Sequence, residues 1–437
     1  MITNKIFFKL FFVILFCAIQ TNAQEILTPE NAVKIALQNN FDIKLSKNNL
    51  KIDKTNLAIG NAGMLPKLTA IINDNNSIQN SSQTRQDGTV VELDNAKNIS
   101  LNYGIGLDWT IFDGLKMFAK YDQLKEIKKL GEANLKLTII TKISEVYTIY
   151  YDLVQQQQLL AFLDTTIVIS NQRLTLAQNR FIIGKVSKLE VLNAQVDLNT
   201  DITLLLKQKE IFANTKILLN QILNRNLKLD YKVIEDIIVN RKLDVNELST
   251  LVEKQNPQLK SQIINKKIKE LQLKQIKGNK LPILTLNSGY NFSETQSSLG
   301  FTTQASAKGL NYGFSASMNI FDGFSQNRNE KIAKIQIENS IIAIEQQNLA
   351  LNAQLAISFQ SYLTNLQLID LEQKNQEIAK QNLDITLDKF KIGIITTLEF
   401  RTAQLNYINS KVRYNNAQFQ TKLSEIDLKE LAGSLDF

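Results

Sequence analysis

The 437 residues predict a mostly α-helical protein that carries four strands of membrane length and arose by tandem duplication of one unit. Three observations lead to that reading. A strictly alternating stretch at residues 102–114, Asn-Tyr-Gly-Ile-Gly-Leu-Asp-Trp-Thr-Ile-Phe-Asp-Gly, returns at 311–323 as Asn-Tyr-Gly-Phe-Ser-Ala-Ser-Met-Asn-Ile-Phe-Asp-Gly, with seven of thirteen positions identical. Two long segments, 116–179 and 324–389, contain no proline and place apolar residues three and four apart. Met-Leu-Pro-Lys-Leu-Thr at Pro66 answers Lys-Leu-Pro-Ile-Leu-Thr at Pro282, an offset of 216, while the strand repeat and everything after it is offset by 209. The first repeat is placed at 24–223, a linker at 224–243 and the second repeat at 244–437.

The elements follow in order. Lys5 and Lys9 flank an apolar run at 10–19, and Thr21-Asn22-Ala23 resembles a small-residue cleavage site, so residues 1–23 read as a secretory signal peptide. Thr28-Pro29-Glu30 starts a helix, with Thr28 as cap and Pro29 in the first turn, expected to run to about Ala62. After the Pro66 break come a weak strand at about 68–76, a polar loop to Lys97, and the repeated strand, which the turn residues Asp113 and Gly114 end. Ile139, Ile143, Val146, Tyr150 and Leu153 mark the buried stripe of the first long helix, and a second helix follows at about 187–223. The second half repeats this order: a helix at 245–278, strands at 283–294 and 308–321, a long helix at 324–389 with Leu355, Phe359, Tyr362, Leu366 and Ile369 as its stripe, and a last helix at 396–432. Apolar residues also lie off these stripes, so each long helix has more than one neighbour. About 64 helical residues reach roughly 95 Å, the length of a long bundle. The linker is expected on its outside.

Composition removes much chemistry. There is no histidine, and the single cysteine, Cys17, lies in the signal stretch, so neither a Ser-His-Asp triad nor a thiol nucleophile nor an ordinary zinc site can be built. No Gly-rich phosphate loop or metal-ligand cluster occurs; enzymatic activity and cofactors are not expected. The modest positive balance is spread out, without an Arg-rich run interleaved with aromatics, so nucleic acid is not an expected partner. In the repeated strand Tyr103, Ile105, Leu107 and Trp109 share one face, and Tyr312, Phe314 and Met318 share the same face of its copy. Such strands suit a soluble sheet capping a helical bundle or the wall of a membrane barrel. Four strands cannot close alone, and oligomerisation resolves the exposed edges; a trimer supplies twelve strands, with polar loops at 74–98 and 295–308 outside.

Taken together, the signal stretch, duplication, Leu-Pro breaks, paired strands and a helical turn reading Phe-x-Ile-Gly-x(5)-Glu resemble the outer-membrane efflux factor (TolC-like) family over essentially the whole mature chain. That resemblance implies a homotrimer in which the duplicated hairpins form an α-barrel in the periplasm and the strands a twelve-stranded barrel in outer-membrane lipid. It further implies an exit duct for efflux or type I secretion, fed through a periplasmic adaptor (membrane fusion protein) by an inner-membrane pump of resistance-nodulation-division or ABC type. The alternative is a periplasmic helical scaffold or adaptor without a membrane barrel. The Phe-x-Ile-Gly turn occurs at Phe181, Gly184, Ser187, Leu189 and Glu190 and again at Phe390, Gly393, Thr396, Leu398 and Glu399, where seven of fifteen positions agree. Each glycine can end one helix in the left-handed conformation and each hydroxyl can cap the next. By resemblance these are the periplasmic tips, where the duct narrows and the adaptor docks. Glu190 and Glu399 in three chains would form a carboxylate ring attracting cations and raising one another's pKa values. The positions one turn later hold Thr402 and Asn193, and Ile395 stands where a basic residue often bonds across the tip, so a single ring is all that carries over.

Overall fold

The computed structural model describes residues 26–298 and 302–435; the signal stretch with Cys17 lies outside them. The described chain runs β1 (Ile26–Leu27), α1 (Pro29–Asn39), α2 (Phe41–Asn56), β2 (Lys67–Thr84), β3 (Val90–Phe112), α3 (Lys116–Ile182) and α4 (Lys188–Ile222). It continues through β4 (Lys232–Val233), α5 (Val245–Gln255), α6 (Pro257–Gly278), β5 (Ile283–Ser297), β6 (Gln304–Ser317), α7 (Ser325–Ile392) and α8 (Thr397–Ala432). It divides into two units, one made of Lys47–Asn134 with Gln258–Gln347, the other of the remaining segments.

The first unit is organised by an antiparallel sheet in the order β2-β3-β5-β6. Cross-strand pairing puts Ile105 beside Ala70 and Tyr290, and Leu107 beside Leu68 and Ser288. Residues paired across strands share a face, so the apolar positions of all four strands gather on one side. Along β3 that face is apolar from Leu101 to Ile111, about 33 Å of strand, or roughly 23 Å once tilted as in outer-membrane barrels. Tyr103 stacks on Phe292 with centroids 4.8 Å apart, and Trp109 donates its indole N–H to the Met64 carbonyl at 3.0 Å. Level with Leu101 the partners turn acidic, Asp74 on β2 and Glu294 on β5. The opposite face carries Asn102, Gly104, Gly106 and Asp108.

Both expected polar loops are largely strand. β2 runs to Thr84 and β3 starts at Val90, with Arg85 and Thr89 closing the turn through a 2.8 Å backbone bond, and β5 reaches Ser297 while β6 begins at Gln304. These extensions are mostly polar, with Ile78, Val90, Val91 and Leu93 too scattered to give a continuous apolar face, which hides them from a search for alternation, yet the backbone ladder forms. β6 ends at Ser317, so Met318 falls just past the strand instead of on it, although it is exposed.

The second unit buries the predicted stripes. Ile143, Val146, Tyr150 and Leu153 of α3 are in its core with Val33, Leu219, Tyr231 and Val233, and Leu355, Tyr362 and Ile369 of α7 are buried as well. The linker does not lie outside the core: β4 pairs in parallel with β1, and the Tyr150 hydroxyl joins them, donating to the Leu27 carbonyl at 2.7 Å and accepting from the Ile234 amide. Burial pushes that phenol up to about 12.

The first helix of each repeat is broken where a continuous helix was expected. α1 stops at Asn40, whose Oδ1 accepts from the Asp42 and Ile43 amides and so caps α2, which ends at Asn56 and not near Ala62. In the second repeat Asn256 precedes Pro257, which forces the extended conformation on it. Asn40 Nδ2 donates to Ile222 O at the end of α4, and Asn256 Nδ2 to Leu431 O at the end of α8, both at 3.0 Å. The break thus places a side-chain donor on an orphan carbonyl at the end of another helix.

Candidate functional site

The two Phe-x-Ile-Gly turns are helix-ending motifs of identical construction. Gly184 N donates to Phe181 O at 2.9 Å and Lys185 N to Arg180 O at 2.8 Å; Gly393 N donates to Phe390 O and Ile394 N to Lys389 O, each at 3.1 Å. Gly184 and Gly393 have φ of 76° and 85°, the left-handed conformation that this motif needs and a Cβ disfavours. The returning helices start differently. Thr396 Oγ1 accepts from the Glu399 amide while the Glu399 carboxylate accepts from the Thr396 amide at 2.8 Å, a complete capping box. Ser187 occupies the equivalent position without a side-chain cap bond.

Beyond the turns the copies diverge. Phe390 is buried and stacked on Phe400 at 5.1 Å, with the Arg180 guanidinium 4.8 Å above its ring and donating to its carbonyl, so Phe390 props the hairpin and is not a docking contact within this chain. Phe181, Leu189 and Leu398 are exposed, and Leu192 and Val196 extend the Leu189 surface along α4. Glu190 is half-buried and accepts a hydrogen bond from Thr397 Oγ1, tying α4 to α8. Glu399 faces solvent, and the backbone and hydroxyl bonds from Thr396 hold its carboxyl below the usual glutamate range, opposite to the rise expected from a like-charged neighbour. Within the chain Glu190 is thus engaged by Thr397 while Glu399 caps its own helix through Thr396.

A buried polar cluster next to the tip escaped the sequence reading. Arg401 on α8 forms a bidentate pair with Asp201 on α4, 2.9 Å on both arms, and its Nε lies 3.5 Å from Asp197. Arg173 on α3 meets Asp197 at 2.7 Å, Ser170 donates to Asp201 at 2.6 Å, and Gln404 donates to Ser170 at 2.8 Å. Asp201 is 1 % exposed and Arg173 3 %, and burial lowers the Arg173 pKa despite its carboxylate partner. A signal was present: in the duplication Arg401 stands opposite Leu192, Asp197 opposite Asn406 and Asp201 opposite Ser410. These three departures from the repeat, two of them four apart on α4 and the third on α8, join the two hairpins.

Comparisons with known proteins agree with this geometry. The model of the family described as outer membrane efflux protein matches residues 32–225 and 248–434. The chain belongs to the outer membrane efflux protein family. That places it among outer-membrane proteins that extend into the periplasm, and its relatives are channels, not enzymes. It is similar to outer membrane protein TolC of Escherichia coli (strain K12), with 22% identity over 305 residues, 68% of this chain. The chain spans 62% of the length of that relative. The fold resembles the Campylobacter jejuni CmeC outer membrane channel at a TM-score of 0.79 and 19% identity, covering 93% of this chain and 85% of that one. The Vibrio cholerae outer membrane protein VceC gives a TM-score of 0.75 at 15% identity, covering 93% and 96%.

Proposed function

We propose that this protein is the outer-membrane exit duct of a tripartite efflux or type I secretion system. Three copies close their sheets into a twelve-stranded barrel and their helical hairpins into a periplasmic conduit, and the substrate passes without chemistry. The observation that carries this is the four-stranded sheet with one apolar face of membrane height and two free edges, β2 and β6. The exposed apolar residues of α7, among them Leu349, Ile357, Ile378 and Ile385, support further helical neighbours. A periplasmic adaptor of the membrane fusion type docks at the tips, where Leu189, Leu192, Val196 and Phe181 offer an apolar surface rimmed by Lys185 and Lys188. An inner-membrane pump, of resistance-nodulation-division or ABC type, supplies the substrate.

At the tips, Glu399 from three chains lines the narrowest passage and Glu190 stands behind it, bonded to Thr397. Solvent exposure of the Glu399 carboxylate supports the first role. Cell fractionation separates this function from a periplasmic scaffold. The expected result is an oligomer in the outer-membrane fraction that migrates differently before and after heating; recovery as a monomer in the osmotic-shock fluid would contradict it.

A further inference from the structure

The internal duplication fixes more than the number of strands. Adding 216 to residues of β2 and 209 to residues of β3 converts the first hairpin into the second, pair by pair. Lys67 with Asp108 becomes Ile283 with Ser317, Thr69 with Gly106 becomes Thr285 with Ser315, and Asn73 with Asn102 becomes Gly289 with Asn311, all as observed. The third pairing, β3 with β5, joins the second strand of one hairpin to the first strand of the next. Its repeat mate would join β6 to a β2, and among the described residues both those edges lack a partner strand.

We infer that β6 pairs with β2 of a second copy in the register obtained by repeating β3·β5, so that Gly313 faces Asn75 and Asn311 faces Ser77 of that copy. The inference rests on the barrel reading above and assigns its subunit seam. Gly104 pairs with Asn291, and a Cβ on Gly104 would sit 2.4 Å from Asn291 Oδ1 and 2.6 Å from the Tyr290 carbonyl, so the asparagine side chain needs the glycine. Both residues recur: Gly104 becomes Gly313 and Asn291 becomes Asn75. Yet a Cβ on Gly313 would meet nothing within 4 Å in this chain. A glycine within a strand often marks the close approach of another backbone; Gly313 leaves room for Asn75 of a second copy as Gly104 does for Asn291, whereas Gly106 has open space with both neighbouring strands in place. Faces agree as well, since Asn311 and Gly313 lie with Ser77 and Asn75 on the polar side, while Phe314 and Tyr312 lie with Ile72 and Leu68 on the apolar side.

Because a disulfide needs Cα atoms within about 7 Å, cysteine pairs read this register directly. In a Cys17→Ser background, Asn311→Cys with Ser77→Cys is compared with Asn311→Cys combined with Asn75→Cys or with Gln79→Cys, each in outer-membrane vesicles under mild oxidation. The first pair is expected to give linked dimers and trimers in at least about five-fold higher yield than the other two. Stronger linkage through Asn75→Cys or Gln79→Cys, in protein that still assembles, overturns the register and leaves the barrel reading standing. No linkage by any pair in protein that is monomeric overturns both. Independently, Gly313→Leu is expected to remove most of the heat-resistant oligomer, and an unaltered oligomer contradicts the seam.

Discussion

Arg401 is the residue on which the tip depends most. Its guanidinium satisfies both oxygens of a carboxylate that is 1 % exposed, so Arg401→Met leaves Asp201 without its counter-ion among buried helices, held only by the Ser170 hydroxyl. The expected loss is roughly 3–5 kcal/mol, read as a lowered thermal midpoint of the helical signal by circular dichroism. The double change Arg401→Met with Asp201→Leu is expected to recover a large part of it, because it removes both charges. Glu399 gives a different prediction. Its folded-state pKa lies below the unfolded value of 4.5, so its capping contribution is complete above that pH and is lost as pH falls through the depressed folded value. Glu190→Gln combined with Glu399→Gln is expected to lower cation over anion selectivity in single-channel recordings; unchanged selectivity would reject the ring. The glycines and the Glu399 cap could be read from the residues, since local rules decide them. The Arg401 cluster could not, because its members lie far apart in sequence and only the packing of three helices makes them neighbours.

At the scale of elements, the broken first helix of each repeat is the feature that sequence reasoning missed and the structure explains. Asn40 and Asn256 each give up helical geometry to donate to the last turn of another helix, Ile222 and Leu431. Asn40→Ala or Asn256→Ala is expected to cost about 1–2 kcal/mol apiece, through the lost donor and, for Asn40, the lost cap on α2. Thermal melts of the two single variants and the double variant check this, with near-additive effects expected for separate sites. Pro257 announced one break; nothing comparable marks Phe41, which is why a continuous helix to Ala62 was the natural expectation. The long helices were legible because three-and-four spacing is maintained over many turns, and Tyr150, Leu153, Tyr362 and Ile369 are buried as that spacing requires. Strand ends were not legible for the opposite reason: beyond Asn76 on β2 and before Ile99 on β3 the few apolar residues, Ile78, Val90, Val91 and Leu93, make no sustained alternation, and backbone pairing extends the ladder.

For the whole molecule, the offsets read from the sequence reappear in the pairing of the two strand hairpins. The two hairpins share one register under fixed offsets of 216 and 209, and the same rule leaves one strand edge at each side of the sheet unfilled. A chain with Tyr312 81% and Phe314 82% exposed on an edge strand is incomplete as a monomer in water. In the proposed assembly lipid covers that apolar face and further copies cover the edges, so the pore exists only when several chains share it. Planar-bilayer recording of protein purified from the outer membrane tests this most directly. The expected result is steady conductance from a particle whose cross-linked mass corresponds to three chains, lost together with the oligomer when the sample is heated. Conductance from a single chain, or a stable three-chain particle that inserts without conducting, would contradict it.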